Sequence, residues 1–256
     1  MQTLTRALVR PPGQTFANGL TTAALGAPDL DKALRQHRDY CDALQQCGVE
    51  VEGLAPSERY PDSTFVEDVA VIHDGRALLT RPGAPSRAGE VELIRAEIAA
   101  RFSDLTEVAA PGSLDGGDVC DAGDRWFVGI SARTNASGAE QLERWLAAAG
   151  RTLERVDIRE LPGVLHLKSA IAYVDDGMLV ATRALRGRLR GVGVIDVDDD
   201  EAYAADCLRI NDRVLVPAGY PRIAQRLEAH GLGILMLDMS EFAKMDGGLS
   251  CLSLRY

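Results

Sequence analysis

The sequence predicts an α/β fold in which about five similar units form a ring. Four segments contain two apolar runs around a polar turn, a pattern that is typical of β-hairpins. A helical pattern and then a short apolar strand follow most of these segments. This repeated order favours a ring over the alternative, an ordinary α/β sandwich whose similar spacings are coincidental.

The predicted hairpins are recognised by their turns. Asp74 with Gly75, and Asp176 with Gly177, are strong turn signals, because glycine adopts positive φ without steric cost. The four segments are VAVIHDGRALLT from Val69, DVCDAGDRWFVG from Asp118, AIAYVDDGMLVAT from Ala170 and CLRINDRVLVPAG from Cys207.

Apolar residues at helical spacing follow the hairpins. In residues 87–101, for example, Val91, Ile94 and Ile98 fall on one helix face. The stretch 183–191, RALRGRLRG, is the poorest helix of the set. The other predicted helices are 29–47, 135–149 and 221–230, and the predicted strands after the helical stretches are 49–54, 105–109, 152–158, 192–197 and 233–237.

The N-terminal unit has a helix and a strand but lacks a hairpin of its own. The apolar runs ALVR near the N-terminus and LSLRY at the C-terminus can supply that hairpin. We therefore expect residues 4–9 and 251–255 to form neighbouring strands. A ring closed in this way has no open sheet edge, and we expect residues 1–256 to form one domain.

Composition limits the partners of the chain. Its 256 residues carry a formal net charge of −10, whereas nucleic-acid binders normally have a basic surface, so we expect no nucleic-acid partner. We also expect no membrane partner, because no stretch approaches the roughly 18 apolar residues of a membrane span. The start of the chain lacks the apolar run of a secretion signal, and the five scattered cysteines indicate a reducing, cytoplasmic location.

Two residues far apart in the chain are candidates for nucleophilic catalysis. Cys251 follows glycines that permit a tight turn, and His166 lies between apolar residues in PGVLHLKS. A cysteine and a histidine that meet in space can act as nucleophile and acid/base. The alternative for Cys251 is a small core residue, and the alternative for His166 is a hydrogen-bonded core histidine.

Carboxylates cluster in two segments. PDSTFVEDV contains Asp62, Glu67 and Asp68, and SLDGGDV contains Asp115 and Asp118. Turn chemistry explains each cluster equally well. The functional interpretation is a pocket for a guanidinium cation, whose planar N–H groups match carboxylates in a bidentate manner.

Arginines in two loops could hold the carboxylate of a substrate. They are Arg81 and Arg87 in RPGAPSRAGE and Arg133 in SARTN, although arginines in loops are usually just solvated. We expect no metal, because no histidine pair or CxxC motif has zinc spacing. We expect no cofactor, because neither a GxGxxG motif nor a Walker A sequence is present.

Six motifs in the same order along nearly the whole chain resemble the dimethylarginine dimethylaminohydrolases, which belong to the guanidino-group-modifying, or pentein, superfamily. The resemblance implies a five-bladed α/β propeller of ββαβ units with pseudo-five-fold symmetry. The motifs are PDSTFVEDVAV, TRPGAPSR, LDGGDV, FVGISARTN, HLKS and KMDGGLSCLSL.

The resemblance also implies which residues act on the guanidinium group. Cys251 matches the nucleophile, His166 the general acid/base and Asp115 the carboxylate that orients the guanidinium. Asp68 matches a second guanidinium-binding carboxylate, with Glu67 beside it. Some bacterial members carry glutamate at the position of Asp115.

The same resemblance implies contacts to the amino-acid end of the substrate. Arg87 and Arg133 match the residues that hold the α-carboxylate. Asp62 and the backbone carbonyls of Leu20 and Met245 match contacts to the α-amino group. Leu20 lies in a loop that, in the family, closes over the ligand.

The implied reaction is hydrolysis of an Nω-methylated arginine to citrulline and methylamine or dimethylamine, through a covalent thiouronium on Cys251. The nearest alternative is an arginine deiminase that releases ammonia. A second alternative is a non-catalytic protein that binds arginine-like ligands. The preferred arginine derivative is left open, and so is assembly as a homodimer.

Overall fold

A computed structural model describes residues 3–256. Within this range the chain forms fifteen strands arranged as five three-stranded sheets. The strands are β1 (Arg6–Val9), β2 (Glu50–Gly53), β3 (Ala70–His73), β4 (Arg76–Leu79), β5 (Asp104–Glu107), β6 (Val119–Ala122), β7 (Arg125–Ile130), β8 (Thr152–Asp157), β9 (Ile171–Asp175), β10 (Met178–Thr182), β11 (Gly193–Val197), β12 (Leu208–Ile210), β13 (Arg213–Pro217), β14 (Gly233–Leu237) and β15 (Ser253–Arg255).

Each sheet contains an antiparallel hairpin and a third strand parallel to the second strand of that hairpin. In the second sheet, for example, β3 pairs with β4 antiparallel through Ala70 and Leu79, and β4 pairs with β5 parallel through Leu79 and Glu107. A parallel neighbour requires a crossover connection, which a helix usually supplies. Five such sheets form a five-bladed α/β propeller, so the predicted fold class is confirmed.

The two ends of the chain complete the first sheet. Strand β1 pairs antiparallel with β15, with Ala7 opposite Arg255 and Val9 opposite Ser253, and it pairs parallel with β2. The prediction that residues 4–9 and 251–255 supply neighbouring strands is therefore confirmed. Because Cys251 lies two residues before β15, closure of the ring also fixes the position of this cysteine.

The helices cover the sheets and mostly match the prediction. Asp29 and Asn135 cap the first and third helices by accepting a backbone N–H with the side chain, which fixes where these helices begin. The helices are α1 (Leu30–Gln46), α2 (Glu92–Arg101), α3 (Ala136–Ala147), α4 (Pro221–Ala229) and the short α5 (Ser240–Ala243).

Two of the helix predictions were wrong in part. Helix α2 begins at Glu92 rather than at residue 87, because Pro85–Arg87 forms a separate 3₁₀ turn. The stretch 183–191 contains a 3₁₀ turn at Arg183–Leu185 and no α-helix. Gly187 and Gly191 adopt φ values of 80° and 63° there, which an α-helix does not permit.

Apolar residues from neighbouring sheets pack together and form the core. One cluster joins the first and second sheets through Leu8, Ala77 and Leu254, each with almost no exposed surface. Full burial of a side chain such as leucine stabilises a fold by about 1.5–3 kcal/mol. These contacts hold adjacent blades at a fixed distance, which the site between them requires.

The first strands of the five hairpins lie nearest the centre of the ring. Residues of β3, β6, β9, β12 and β15 line a central cavity of about 580 Å³. The short turns that precede these strands contact one another at one end of the ring. The turns are Val66–Val69, Gly116–Asp118, Leu167–Ser169, Asp199–Ala205 and Ser250–Leu252.

Candidate active site

A second cavity includes residues from, or directly before, three of those turns: Asp68, His166 and Cys251. It is narrow, with a volume of about 30 Å³, which is room for only a few water molecules. Eight of the ten residues predicted for the site line this cavity: Leu20, Asp62, Asp68, Arg87, Arg133, His166, Met245 and Cys251, and the wall also includes Phe65, Leu165, Asp246 and Gly247.

The other two predicted residues lie behind the wall. Asp115 is completely buried and contacts His166 rather than the cavity. Glu67 lines the central cavity, where its Oε1 atom lies 2.6 Å from Nζ of Lys168 and 2.5 Å from Nη2 of Arg255. The geometry therefore separates Glu67 from its sequence neighbour Asp68.

His166 is held by a buried carboxylate. Its Nε2 atom lies 3.0 Å from Oδ2 of Asp115, and Oδ1 of Asp115 accepts a hydrogen bond of 2.7 Å from the backbone N–H of Gly83. Burial disfavours the imidazolium, but the charges of Asp68, Asp115 and Asp118 outweigh it and raise the pKa of His166 to about 9. His166 is therefore cationic at neutral pH.

Asp68 and Arg87 form a buried ion pair in the wall. Nη1 of Arg87 donates to Oδ2 of Asp68, and the backbone N–H of Gly117 donates to Oδ1 at 2.8 Å. Burial alone would raise the pKa of Asp68, but the positive charges of His166 and Arg87 lower it. Asp68 is thus ionised and is fixed from two sides.

Glycine at position 117 is needed for this arrangement. A Cβ atom there would lie 2.7 Å from Oδ1 of Asp68 and 2.8 Å from Nδ1 of His166. Both distances are shorter than a carbon atom tolerates, so a side chain at this position would displace one of the two groups. The same distances place Oδ1 of Asp68 and the Nδ1 edge of His166 next to one point beside Gly117, so the two groups lie close together.

Arg87 is not the exposed loop arginine that its surroundings in the sequence suggest. The residue is 4% exposed, and its Nε and Nη2 atoms donate to Glu90, with Nη2 2.7 Å from Oε2. Nη2 also donates to the backbone carbonyls of Asp62 and Phe65. Sequence reasoning missed Glu90, although its position three residues after Arg87 was a usable signal.

Arg133 differs from Arg87 in that its guanidinium forms no ion pair with the described residues. Within residues 3–256, the guanidinium of Arg133 has no hydrogen-bond or ion-pair partner, and only its backbone N–H is engaged, by Oγ of Ser131. A half-buried, unpaired cation in the wall of a cavity attracts an anionic group of a ligand.

Cys251 lies in a 3₁₀ turn, Ser250–Leu252, at the bottom of the cavity wall. Burial raises the pKa of its thiol, and the charges of Asp206, Glu67 and Asp68 raise it further. The thiol is therefore neutral at neutral pH. Sequence reasoning missed Asp206, whose signal is that it lies just before β12, as Asp68 does before β3 and Asp118 before β6.

The segment around Leu20 covers the cavity and is held by few bonds. The backbone N–H of Leu20 donates to both carboxylate oxygens of Asp62, at 3.0 and 3.2 Å. Oγ1 of Thr21 donates to the carbonyl of Lys244, and Thr22 donates to Oδ2 of Asp246. Leu20 itself is 42% exposed, so this segment separates the cavity from solvent.

Three side chains could hold a metal ion by geometry alone. One ligand atom each from Asp68, Asp115 and His166 lies within 4.8 Å of the other two. These groups already bond to Arg87, Gly83, Gly117 and one another, so a cation would have to compete for them.

In the described part of the chain, no helix is both long and apolar enough to cross a membrane.

Comparisons with known proteins identify the family. No family model matches the chain. The N(G),N(G)-dimethylarginine dimethylaminohydrolase of Pseudomonas aeruginosa is 41% identical over 97% of this chain and 98% of that protein. The solved structure of DDAH from Pseudomonas aeruginosa, a cysteine-to-serine mutant complexed with citrulline, is 39% identical, with a TM-score of 0.95 over the full length of both chains.

A second solved structure is similar to the same extent. It is a histidine-to-glycine dimethylarginine dimethylaminohydrolase adduct with S-methyl-L-thiocitrulline, which is 39% identical with a TM-score of 0.94 over 99% of this chain and 100% of that chain. Because sequence and structure agree over nearly the full length, this chain belongs to the dimethylarginine dimethylaminohydrolase family.

Proposed function

We propose that this chain hydrolyses Nω-methylated arginine, either asymmetric dimethylarginine or monomethylarginine, to citrulline and dimethylamine or methylamine. One observation carries the proposal: Cys251, His166 and the carboxylates Asp62 and Asp68 line one cavity. Membership of the family and relatives solved with citrulline and with S-methyl-L-thiocitrulline support the same substrate class.

Cys251 is the nucleophile and His166 the general acid and base in this proposal. The thiolate attacks the central guanidinium carbon and forms a thiouronium after the methylated amine leaves. A His166 that is cationic at neutral pH holds the proton that the departing amine needs. The neutral imidazole then takes a proton from the water that releases citrulline, and Cys251 leaves as the thiolate.

The carboxylates divide the remaining work. Asp68 is ionised at the cavity wall, which suits it to hold N–H groups of the guanidinium. Asp115 was predicted to orient the guanidinium as well, but its contacts support a role through His166, whose Nε2 it engages. This contact leaves Nδ1 as the ring nitrogen available to the substrate. Glu67 lies behind this cavity, where it forms ion pairs with Lys168 and Arg255.

The amino-acid end of the substrate requires the opposite charges. We assign the α-carboxylate chiefly to Arg133, whose charge is free, whereas Arg87 is occupied by Asp68 and Glu90. We assign the α-amino group to Asp62 and the backbone carbonyls of Leu20 and Met245, which line the same cavity. Burial raises the pKa of Asp62, and a bound ammonium group would oppose that shift.

Substrate entry requires the Leu20 segment to move, because a cavity of about 30 Å³ is too small for an arginine side chain. Leu20 bonds to the same Asp62 oxygens that are assigned to the substrate. Exchange of the Leu20 N–H for the α-amino group would couple substrate binding to rearrangement of this segment.

The deiminase alternative has the same catalytic groups and differs in the leaving amine. A pocket that hydrogen-bonds all three guanidinium nitrogens loses a partner when one nitrogen is methylated, at a cost of roughly 1–3 kcal/mol. That cost corresponds to roughly tenfold to hundredfold discrimination. A purely binding function is disfavoured because cysteine, histidine and carboxylates meet at one cavity.

The test is a comparison of kcat/KM for arginine, monomethylarginine and asymmetric dimethylarginine, with citrulline and the released amine both quantified. We expect either methylated substrate to exceed arginine at least tenfold. Preferred release of ammonia from arginine would make the chain a deiminase. Tight binding of all three without citrulline would leave only the binding function.

Three broader expectations accompany this proposal. A single domain for residues 1–256 is supported by the pairing of β1 with β15, which joins the two ends of the chain. A cytoplasmic location is supported by five cysteines that are all free. A homodimer stays a prediction, which sedimentation of the purified protein can test.

A further inference from the structure

Asp206 contacts the turn that carries Cys251. This carboxylate is 5% exposed and lies at the end of the segment Asp199–Ala205, two residues before β12. Its Oδ1 atom accepts a hydrogen bond of 3.0 Å from the backbone N–H of Ser250. Its Oδ2 atom lies 4.0 Å from Sγ of Cys251, at the outer limit of a thiol hydrogen bond. One carboxylate therefore faces both the backbone and the sulfur of the turn.

The same segment holds the other end of the cysteine turn. The hydroxyl of Tyr203 donates to the carbonyl of Gly247 at 2.8 Å. Gly248 packs directly against the Asp206 carboxylate, and a Cβ atom at this position would collide with Oδ2. Contacts at Gly247, Gly248 and Ser250 fix the carboxylate relative to the sulfur, so the thiol–carboxylate contact does not depend on one weak bond.

We propose that Asp206 is a positioning residue that holds Cys251 as a neutral thiol, with the S–H directed at Oδ2, while the cavity is empty. The inference rests on the proposed function only in taking Cys251 as the nucleophile. It adds Asp206 as a group that limits when the thiolate of Cys251 forms. Asp206 belongs to the blade of β12, β13 and β14, which supplies none of the predicted site residues.

The charges around the sulfur agree with this role. Burial raises the pKa of Asp206 to about 7, and the charge of Glu67 adds to that rise, so the carboxylate is largely ionised above neutral pH. An anion beside the sulfur disfavours a second negative charge there. The other groups that face the pair are Glu67, Asp62, Asp68 and Asp246 among the acids, Lys168, Arg87, Arg133 and His166 among the cations, and Tyr203 and Cys207.

A cationic substrate changes this balance. A guanidinium in the cavity offsets the negative charge of Asp206, Glu67 and Asp68 and so favours the thiolate. The proton then moves from Sγ to Oδ2 of Asp206, which becomes a neutral carboxylic acid, and the total charge of the pair is unchanged. The thiolate would therefore be present mainly when the substrate is bound, which protects an empty enzyme from electrophiles.

The test is a thiol titration of the intact, substrate-free protein, which requires no turnover. Thiolate absorbance at 240 nm is followed with pH in wild type and in Asp206→Asn, and the same titration in Cys251→Ser is subtracted to isolate Cys251. Asparagine keeps the shape and the acceptor for Ser250 but removes the charge. We expect the Cys251 midpoint to fall by about one pH unit or more. The rate of alkylation by iodoacetamide at pH 7.5 should rise severalfold.

Asp118→Asn is the matched control. Asp118 is also a fully buried carboxylate that accepts a backbone N–H, from Leu167 at 2.9 Å, but it lies beside His166. Its removal should leave the Cys251 midpoint within about 0.3 unit of wild type, a small fraction of the shift expected from a neighbouring charge. If Asp206→Asn does not fold by circular dichroism, Asp206→Ser repeats the test with a smaller neutral side chain.

The outcomes separate this inference from the proposed function. An unchanged or higher Cys251 midpoint in a folded Asp206 variant overturns the inference, whatever the enzyme does to methylarginine. An equal fall in the Asp118 variant also overturns it, because the effect would then be general to buried carboxylates. Absence of citrulline formation by wild type overturns the proposed function and leaves the thiol result standing.

Discussion

Nε2 of His166 lies 3.0 Å from Oδ2 of Asp115, and the backbone N–H of Gly83 holds the other oxygen of that completely buried carboxylate. Because a carboxylate only accepts hydrogen bonds, Nε2 carries a proton. The contact thus fixes both the orientation of the imidazole and the nitrogen that it offers to the cavity.

Asp115→Asn should lower the pKa of His166 below its value of about 9, because the hydrogen bond and charge of Asp115 both raise it. We expect a fall of about one unit or more and a loss in kcat of about a hundredfold or more. NMR titration of the imidazole measures the pKa, and citrulline formation measures kcat. Partial recovery in Asp115→Glu would support the role of the charge, whereas an unchanged midpoint in Asp115→Asn would contradict it.

Cys251→Ser should abolish turnover and keep substrate affinity, because a hydroxyl of similar shape replaces the nucleophile. Calorimetry with asymmetric dimethylarginine measures binding, and mass spectrometry of wild type under turnover should detect a covalent adduct that the variant lacks. Cys41→Ser is the matched control, since Cys41 is also a partly buried free cysteine but lies on α1. Citrulline formation by Cys251→Ser at the wild-type rate would refute the assignment.

Arg133→Ala should weaken substrate binding without loss of stability, because its guanidinium has no partner within residues 3–256. Loss of a charge-assisted contact to the α-carboxylate is worth roughly 1.5–3 kcal/mol, so KM should rise about tenfold or more. The control is the decarboxylated methylarginine, for which wild type and variant should be equally poor. If Arg133→Ala raises KM by the same factor for methylarginine and for its decarboxylated analogue, Arg133 does not bind the α-carboxylate.

Arg87→Ala should instead destabilise the fold, because it leaves Asp68 and Glu90 buried without their cation. Breaking a buried pair in this way costs roughly 3–5 kcal/mol. The melting temperature should fall by about 2–4 °C for each kcal/mol. A melting temperature equal to that of Arg133→Ala would show that Arg87 serves the substrate rather than the structure.

Asp206→Asn should raise the melting temperature, and more at pH 8 than at pH 5. The folded pKa of about 7 lies above the unfolded value of about 3.9, so the folded protein binds the proton more tightly. Stability from this proton is present at low pH and is lost as the pH rises through 7. The folded pKa of Asp118 is about 6, so the effect of Asp118→Asn on the melting temperature should reach its full size at a lower pH. A change in the melting temperature of Asp206→Asn that is the same at pH 5 and pH 8 would contradict a raised pKa for Asp206.

Dialysis against a chelator should leave kcat/KM unchanged. The carboxylates that could bind a metal already accept hydrogen bonds from Arg87, Gly83 and Gly117. Added zinc should inhibit, in competition with substrate, by binding Cys251 and His166 together, since both line the substrate cavity. Loss of turnover on dialysis that one specific ion restores would show that the reaction needs a metal.

The order of hairpin, helix and strand follows from the sequence by itself. Turn residues such as Asp74 with Gly75, and apolar spacing in strands and helices, act over a few neighbours, so the chain alone specifies them. The pairing of β1 with β15 was also predictable, because the first unit lacked a hairpin and only the chain ends could supply it. The arginine-rich stretch 183–191 failed as a helix because Gly187 and Gly191 adopt positive φ.

The division of labour among the charged residues was decided by the tertiary structure. Glu67 and Asp68 are adjacent in the sequence, yet Lys168 and Arg255 hold Glu67 in the central cavity while Arg87 and the N–H of Gly117 hold Asp68 in the other. Consecutive residues of a tight turn point to different sides, and partners distant in the chain decide which side each one takes. For the same reason, Asp206 could be assigned to the cysteine turn only once blades far apart in sequence had met.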